Sequence, residues 1–391
     1  MMKTKYVWPV VSNKEIDIVN KVLKSNKLNY WTGSKCQEFE NKFAKYFGLK
    51  HTISLANGSV ALDIAIKCLG LKKNSEIIVT PRSYISSVTS VLNQNLKPVF
   101  ADIDLNSQNI ESENIEKKIT KNTKAILLVH LGGMPCDISK IVNLAKKYNL
   151  KIIEDCSQAH GAKIKNKYVG SFGDLAVWSL CNDKILNTLG EGGMVATKNF
   201  DYFKKLWGYK DCGKNYTKLL NKKKQFKFRW VHDFEGTNLR MTEIQAAVGI
   251  YQLTKLSEWV RKRNLNAYRI NNLCKNFKSI TIQNVPKGFY HSYYRNYIFL
   301  NFKFIKRKWT REMILKHLNQ VGIECDVGSC PEIYKEKYLK SKKLNFPKKL
   351  KNANFLGRNS ISFKVHPDIY KNNFFTKLKK LNSFFKNITI N

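Results

Sequence analysis

The 391-residue sequence predicts an α/β fold, with a large domain on a mixed, mostly parallel sheet over residues 1–250 and a smaller α+β domain over residues 251–391. Three observations carry that expectation. Short apolar runs alternate with amphipathic stretches from about residue 50 to 200, the pattern of a parallel sheet covered by helices. The last two β-like runs of that region follow each other with no full helix between them, so the sheet is expected to be mixed. The C-terminal part then mixes β-like and helical runs, as a smaller α+β unit does.

Taken in order, the expected strands are Thr52 to Leu55, Glu76 to Thr80, Pro98 to Ile103, Ala125 to His130 and Lys151 to Asp155, short apolar runs suited to burial on both faces. The helices between them are Ser59 to Leu69, Ile85 to Asn95, Ser112 to Ile119 and Ile138 to Tyr148. Leu175 to Leu180 and Gly193 to Thr197 complete the sheet. Lys210 to Asp233 is polar and aperiodic, carries Lys222-Lys223-Lys224, and reads as a loop. Glu243 to Ala267 places Ile244, Ala247, Val248, Tyr251, Leu253, Leu256 and Val260 at helical spacing and is long enough to join two domains. Beyond it come β-like runs at Tyr293 to Phe304 and Ser360 to Val365, and helical ones at Arg311 to Val321 and Ile369 to Phe385.

Composition narrows the function. With 43% hydrophobic and 25% charged residues the chain is globular, which excludes disordered and collagen-like classes. No apolar run approaches the roughly 20 residues of a bilayer crossing, and the N-terminus lacks a secretory h-region, so a cytoplasmic protein with no membrane partner is expected. Nine cysteines without a C-x-x-C pair argue against a disulfide frame or zinc ribbon, and no metal is expected. The net charge of +40 suggests nucleic acid, as does Lys222 to Trp230, where basic and aromatic residues interleave. Yet 59 of the 69 basic residues are Lys, whereas base and phosphate recognition favours Arg. Compositional drift and a solvated loop are the preferred readings, and no nucleic-acid partner is expected.

Three clusters carry chemistry. Ala56-Asn57-Gly58-Ser59-Val60-Ala61-Leu62 puts a glycine and a hydroxyl where a strand gives way to a helix, whose free N–H groups and positive dipole end can hold a phosphate. Ser59 could equally be a helix cap. Glu154-Asp155-Cys156-Ser157-Gln158-Ala159-His160-Gly161 puts a carboxylate at the end of a buried parallel strand, the edge where open α/β sheets bind ligands. That carboxylate needs a cationic partner, or else it caps the next turn. Ser179 to Lys184, followed by Gly190-Glu191-Gly192-Gly193, offers a lysine amine able to form a Schiff base, although most of the lysines must be solvated surface. The order of the three, with an aromatic at Tyr84, is the set that pyridoxal phosphate (PLP) needs: a phosphate grip, a ring stack, a partner for the ring nitrogen and a lysine.

The sequence resembles the DegT/DnrJ/StrS family of PLP-dependent sugar aminotransferases from about Trp8 to about Pro367. Beyond the three clusters, the resemblance rests on Tyr30-Trp31-Thr32-Gly33, Thr80-Pro81-Arg82-Ser83-Tyr84, Val99 to Asp104, and Asn238-Leu239-Arg240-Met241-Thr242-Glu243-Ile244-Gln245-Ala246-Ala247. It implies a type I PLP fold acting as a homodimer with shared active sites. Position by position, Lys184 resembles the Schiff-base lysine, Asp155 the partner of the ring nitrogen, Gln158 the neighbour of the ring's 3′-oxygen and Tyr84 the stacking aromatic. Gly58, Ser59 and Ser179 resemble phosphate ligands, and Asn238 the asparagine that reaches the phosphate from the partner chain. The implied reaction moves an amino group from glutamate to a keto-sugar, nucleotide-linked, for amino-sugar and surface polysaccharide synthesis. A PLP-dependent sugar dehydratase is the alternative, but such relatives carry histidine where Lys184 stands. Gly322 to Pro331 departs from the family by lacking its aromatic-histidine pattern.

Overall fold

The computed structural model describes residues 8–220, 228–342, 344–369 and 373–390. Two helices precede the first strand, α1 (Asn13–Lys24) and α2 (Lys35–Phe47), and neither stands out in the apolar-run pattern. Local chemistry specifies α1: Ser12 accepts from the Glu15 N–H, and the Glu15 carboxylate accepts from the Ser12 N–H at 2.8 Å, a reciprocal cap.

The large sheet follows the expected alternation: β1 (His51–Leu55), α3 (Gly58–Cys68), β2 (Glu76–Val79), α4 (Ser86–Asn93), β3 (Lys97–Phe100), α5 (Ser112–Glu116), β4 (Thr123–Val129), α6 (Ile138–Lys147) and β5 (Lys151–Asp155). After the short strands β6 (Lys163–Ile164) and β7 (Lys167–Tyr168), the chain forms β8 (Leu175–Ser179), β9 (Gly193–Thr197), α7 (Phe200–Lys210) and α8 (Tyr216–Leu220). The seven long strands lie in the order β1-β9-β8-β5-β4-β2-β3. Pairs from β3 to β8 are parallel, while β8 with β9 and β9 with β1 are antiparallel, as the missing helix between the last two runs predicts. The loop expected over Lys210 to Asp233 is corrected in part. Its first residue ends α7 and it contains α8, while residues 221–227 lie outside the described residues.

Helix α9 (Glu243–Cys274) runs 32 residues, past the expected Ala267, and the boundary expected at 250/251 falls inside it. Its N-terminal part packs Ala246, Leu253, Leu256 and Val260 against Phe39, Phe43 and Trp178. Its second half packs Ala267, Ile270 and Cys274 against Ile298, Ile361 and Phe385 of the C-terminal part. One helix thus joins two apolar clusters.

The C-terminal part contains β10 (Ile280–Ile282), β11 (Phe289–Tyr290), β12 (Asn296–Leu300), α10 (Arg311–Gln320), β13 (Cys325–Asp326), α11 (Lys337–Ser341), α12 (Lys351–Asn359), β14 (Ser360–Phe363) and α13 (Phe374–Ile388). A four-stranded antiparallel sheet, β10-β12-β14-β13, is its centre, and β11 pairs instead with β6. The run expected over Tyr293 to Phe304 divides into β12 and a 3-10 turn at Phe302–Phe304. The lead into β12 is tied to the end of β4: Ser292 N–H donates to the Gly133 carbonyl and Arg295 N–H to that of Gly132, both at 3.0 Å. Gly133, at φ 99°, has no room for a side chain, since a Cβ would lie 2.6 Å from Ser292 Oγ. This contact brings Tyr294 and Arg295 over the C-terminal edge of the large sheet.

Candidate active site

A cavity of about 900 Å3 opens at that edge, lined from one side by the ends of β5 and β8 and the start of α3, and from the other by residues 294–336. Asn57, not Ser59, caps α3: its side chain accepts from the Val60 N–H at 3.0 Å. The Ser59 hydroxyl is therefore exposed to the cavity without a side-chain partner among the described residues, and the Gly58 and Ser59 N–H groups are first-turn donors with no intrahelical acceptor. Gly58 is demanded by Ser179, because a Cβ at Gly58 would lie 2.6 Å from that of Ser179. Gly193 of the glycine-rich turn is demanded likewise, by the Asn57 carbonyl 2.3 Å from where its Cβ would stand. The helix start, Ser179 and the turn after Lys184 thus close on one another.

Asp155 ends β5, nearly buried yet lining the cavity. Burial pushes its carboxyl above the ordinary value, while hydrogen bonds from Ser157 and the charge of Lys184 pull the other way. The Ser157 N–H donates to Oδ1 at 3.0 Å, so the turn-capping role and a place in the cavity coexist. Gln158 Oε1 accepts from the Gly132 N–H at 2.8 Å, which turns its amide NH2 into the group available to a ligand. Beside them, Glu154 is a buried clamp: its Oε1 accepts the Phe172 and Gly173 N–H groups at 2.8 and 2.6 Å, and its Oε2 accepts the Gly170 N–H at 2.8 Å. His130 Nδ1 accepts from the Cys136 N–H at 2.9 Å, so Nε2 carries the proton toward Glu154, 3.1 Å away. His130, Glu154 and Cys156 are close enough to suggest a metal, but these hydrogen bonds already occupy the imidazole and the carboxylate.

Lys184 stands on the turn after β8, its side chain 16% exposed and its Nζ 3.1 Å from Asp183 Oδ1 and 3.4 Å from the Tyr294 hydroxyl. Burial disfavours its charge, but Tyr294 and Asp183 outweigh burial and hold the amine above the ordinary lysine value. Arg295 adds a second cation, with Nη1 3.1 Å from Asp326 Oδ2.

The structure therefore brings together Gly58, Ser59, Tyr84, Asp155, Gln158, Ser179 and Lys184 around one cavity. Tyr84 remains 68% exposed above it. Asn238 is exposed and outside that lining, on a segment that bridges to Asp211. Sequence reasoning missed Asp183, Tyr294, Arg295 and Asp326. Asp183 was legible as a carboxylate beside the candidate lysine; the other three needed the C-terminal part to fold over the sheet edge. Of the basic-aromatic run over 222–230, residues 222–227 lie outside the described residues, and Phe228 and Trp230 are exposed.

These residues fit PLP on structural grounds alone. The cradle formed where Gly58 meets Ser179 offers free helix N–H groups and two hydroxyls to a phosphate. A buried carboxylate and a part-buried amine face the same space, Asp155 to pair with a protonated ring nitrogen and Lys184 to bond the aldehyde carbon.

Comparison with known proteins agrees with that fit. The sequence profile of the DegT/DnrJ/EryC1/StrS aminotransferase family matches residues 9–376. GDP-perosamine synthase of Escherichia coli O157:H7 is 37% identical over 343 residues, covering 85% of this chain and 87% of that one. The crystal structure of an aminotransferase from Psychrobacter cryohalolentis superposes with a TM-score of 0.94 at 39% identity, covering 97% of this chain and 98% of that one. E. coli GDP-4-keto-6-deoxy-D-mannose-3-dehydratase, solved with hydrated PLP, superposes with a TM-score of 0.84 at 26% identity over 96% and 97% of the two chains.

Proposed function

Because the chain belongs to the DegT/DnrJ/EryC1/StrS aminotransferase family and is a PLP-dependent sugar aminotransferase, we propose that it moves the amino group of glutamate to a nucleotide-linked keto-sugar, for amino-sugar and surface polysaccharide synthesis. The observation that carries this reading is the pairing of Lys184 and Asp155 across one cavity from the α3 phosphate cradle. The likeness to a GDP-perosamine synthase supports the nucleotide-linked acceptor.

PLP, when bound, supplies a ring that takes up the electron pair left when a proton departs from the amino-bearing carbon. Lys184 would hold the cofactor through Nζ, and its amine, once free, would serve as the base and acid that moves a proton at the substrate carbon. Asp155 keeps a proton on the ring nitrogen, in an environment dry enough for that charge pair to count. Gln158 donates its amide NH2 to the 3′-oxygen, while Gly58, Ser59 and Ser179 hold the phosphate. Tyr84 covers one ring face. Asn238, outside its own cavity, serves the phosphate of the partner in a homodimer, and the enzyme works in the cytoplasm.

The dehydratase reading draws on the fold it shares with this chain, and Lys184 opposes it, since the family resemblance implies a histidine at that position in the dehydratases. Spectra of the cofactor provide the test. Glutamate should convert it to the aminated form, and only the right nucleotide-linked keto-sugar should convert it back. Failure of every amino acid to change the spectrum of folded, loaded protein would refute transamination.

A further inference from the structure

Asp183, Tyr294 and the Lys184 amine form a closed hydrogen-bonded triangle. Lys184 Nζ donates to Asp183 Oδ1 at 3.1 Å and to the Tyr294 hydroxyl at 3.4 Å, while that hydroxyl donates to Asp183 Oδ2. The triangle is braced from behind. Arg263, 2% exposed, donates from Nη1 to the carbonyls of Tyr293 and Tyr294, and Trp8 Nε1 donates to the Lys184 carbonyl at 3.1 Å. Other titratable groups near the amine are otherwise engaged: Asp155 by Ser157, Arg295 by Asp326 and Glu191 by the Cys181 thiol. His160 is fully buried, and burial pushes its imidazole down to about 3, too low to take a proton at neutral pH.

We propose that Asp183 is a further catalytic residue: with Tyr294 it fixes the direction of the Lys184 amine, and its negative charge stabilises the protonated amine, the form from which Lys184 returns a proton as an acid. A carboxylate that faces the cavity and touches Nζ suits this task, because its charge opposes loss of the amine's proton.

The inference rests on Lys184 being the lysine that carries the cofactor, and its test keeps the two ideas apart. Holoenzymes of wild type, Asp183→Asn, Asp183→Glu and Tyr294→Phe are titrated by the visible band of the cofactor–lysine linkage. Loss of the carboxylate should lower the midpoint by roughly 1 to 3 units, the scale of an adjacent opposite charge. Turnover of Asp183→Asn should fall roughly 100-fold, with KM for the amino donor little changed and Asp183→Glu restoring part of both signals. Tyr294→Phe should shift the midpoint the same way by less, and it carries the test should Asp183→Asn fail to fold. Midpoints and turnover equal to wild type in the folded, loaded variants overturn the proposal. Borohydride reduction followed by peptide mapping locates the modified lysine; a site other than Lys184 refutes the lysine assignment, and this proposal falls with it.

Discussion

The indole of Trp8 donates from Nε1 to the backbone carbonyl of Lys184 at 3.1 Å, joining residues 176 positions apart in sequence. The same ring lies 5.0 Å from the Arg263 guanidinium, which in turn holds the carbonyls of Tyr293 and Tyr294. The N-terminal segment thus buttresses the turn that carries the lysine.

Trp8→Phe keeps an aromatic ring in place and deletes the donor. A neutral hydrogen bond contributes about 0.5 to 1.5 kcal/mol, so turnover should fall roughly 2- to 12-fold if Trp8 positions the lysine. The readout is the split between kcat and KM: kcat falls and KM for both substrates holds. An unchanged kcat would limit Trp8 to packing.

Asp155→Asn should retain the cofactor, because the phosphate cradle is untouched. It should raise the barrier to transamination by about 3 kcal/mol, the loss typical when a preorganised charge is removed from a dry site. Single-turnover rates with glutamate measure this, and near wild-type rates would mean that another group holds the ring nitrogen.

The large sheet was legible because β2, β4 and β5 are short apolar runs between amphipathic helices, a pattern set by burial alone. Helices α1 and α2 were not, since their apolar stripes are diluted by lysine and their specification lies in caps and in contacts with α9. In the cavity, the sequence pointed to Asp155 and Lys184 because strand ends and glycine-rich turns announce a ligand edge. It could not point to Tyr294 or Arg295, whose place depends on two hydrogen bonds to Gly132 and Gly133 made across more than a hundred residues. Ser59 was legible as a polar helix start but not as a free hydroxyl; that required Asn57 to take the cap.

Mixing Lys184→Ala with Asn238→Asp tests sharing of sites between subunits. If each site borrows Asn238 from its neighbour, a mixed dimer has one site with both lesions and one with neither, and activity should return toward half of wild type per mixed dimer. Both parents must be inactive and heterodimers confirmed, for instance by mass spectrometry of differently tagged subunits. Silence under those conditions would assign Asn238 to its own subunit.

Glu154→Gln should destabilise the fold. The amide NH2 would confront N–H donors that now meet a carboxylate oxygen, and hydrogen bonds to a charged group contribute about 1.5 to 3 kcal/mol each. Burial raises the Glu154 carboxyl, but His130 and the backbone N–H groups outweigh it and hold the carboxyl below the ordinary value. A carboxyl depressed in the folded state contributes fully above its unfolded value of about 4.3 and loses that contribution as pH falls through the folded value. Denaturation of both proteins should therefore show a gap at pH 7 that narrows below about pH 4. A gap that stays constant into strong acid would deny the depressed carboxyl.

Transfer of the amino group itself is the most direct test of the whole account. The holoenzyme is incubated with glutamate labelled with 15N and a panel of nucleotide-linked keto-sugars, and the sugar products are weighed by mass spectrometry. The account predicts one acceptor whose product carries the label, with loss of the carbonyl oxygen and formation of 2-oxoglutarate in equal amount. A product that has lost a hydroxyl and gained no nitrogen would contradict it, and would mark the enzyme as a dehydratase despite Lys184.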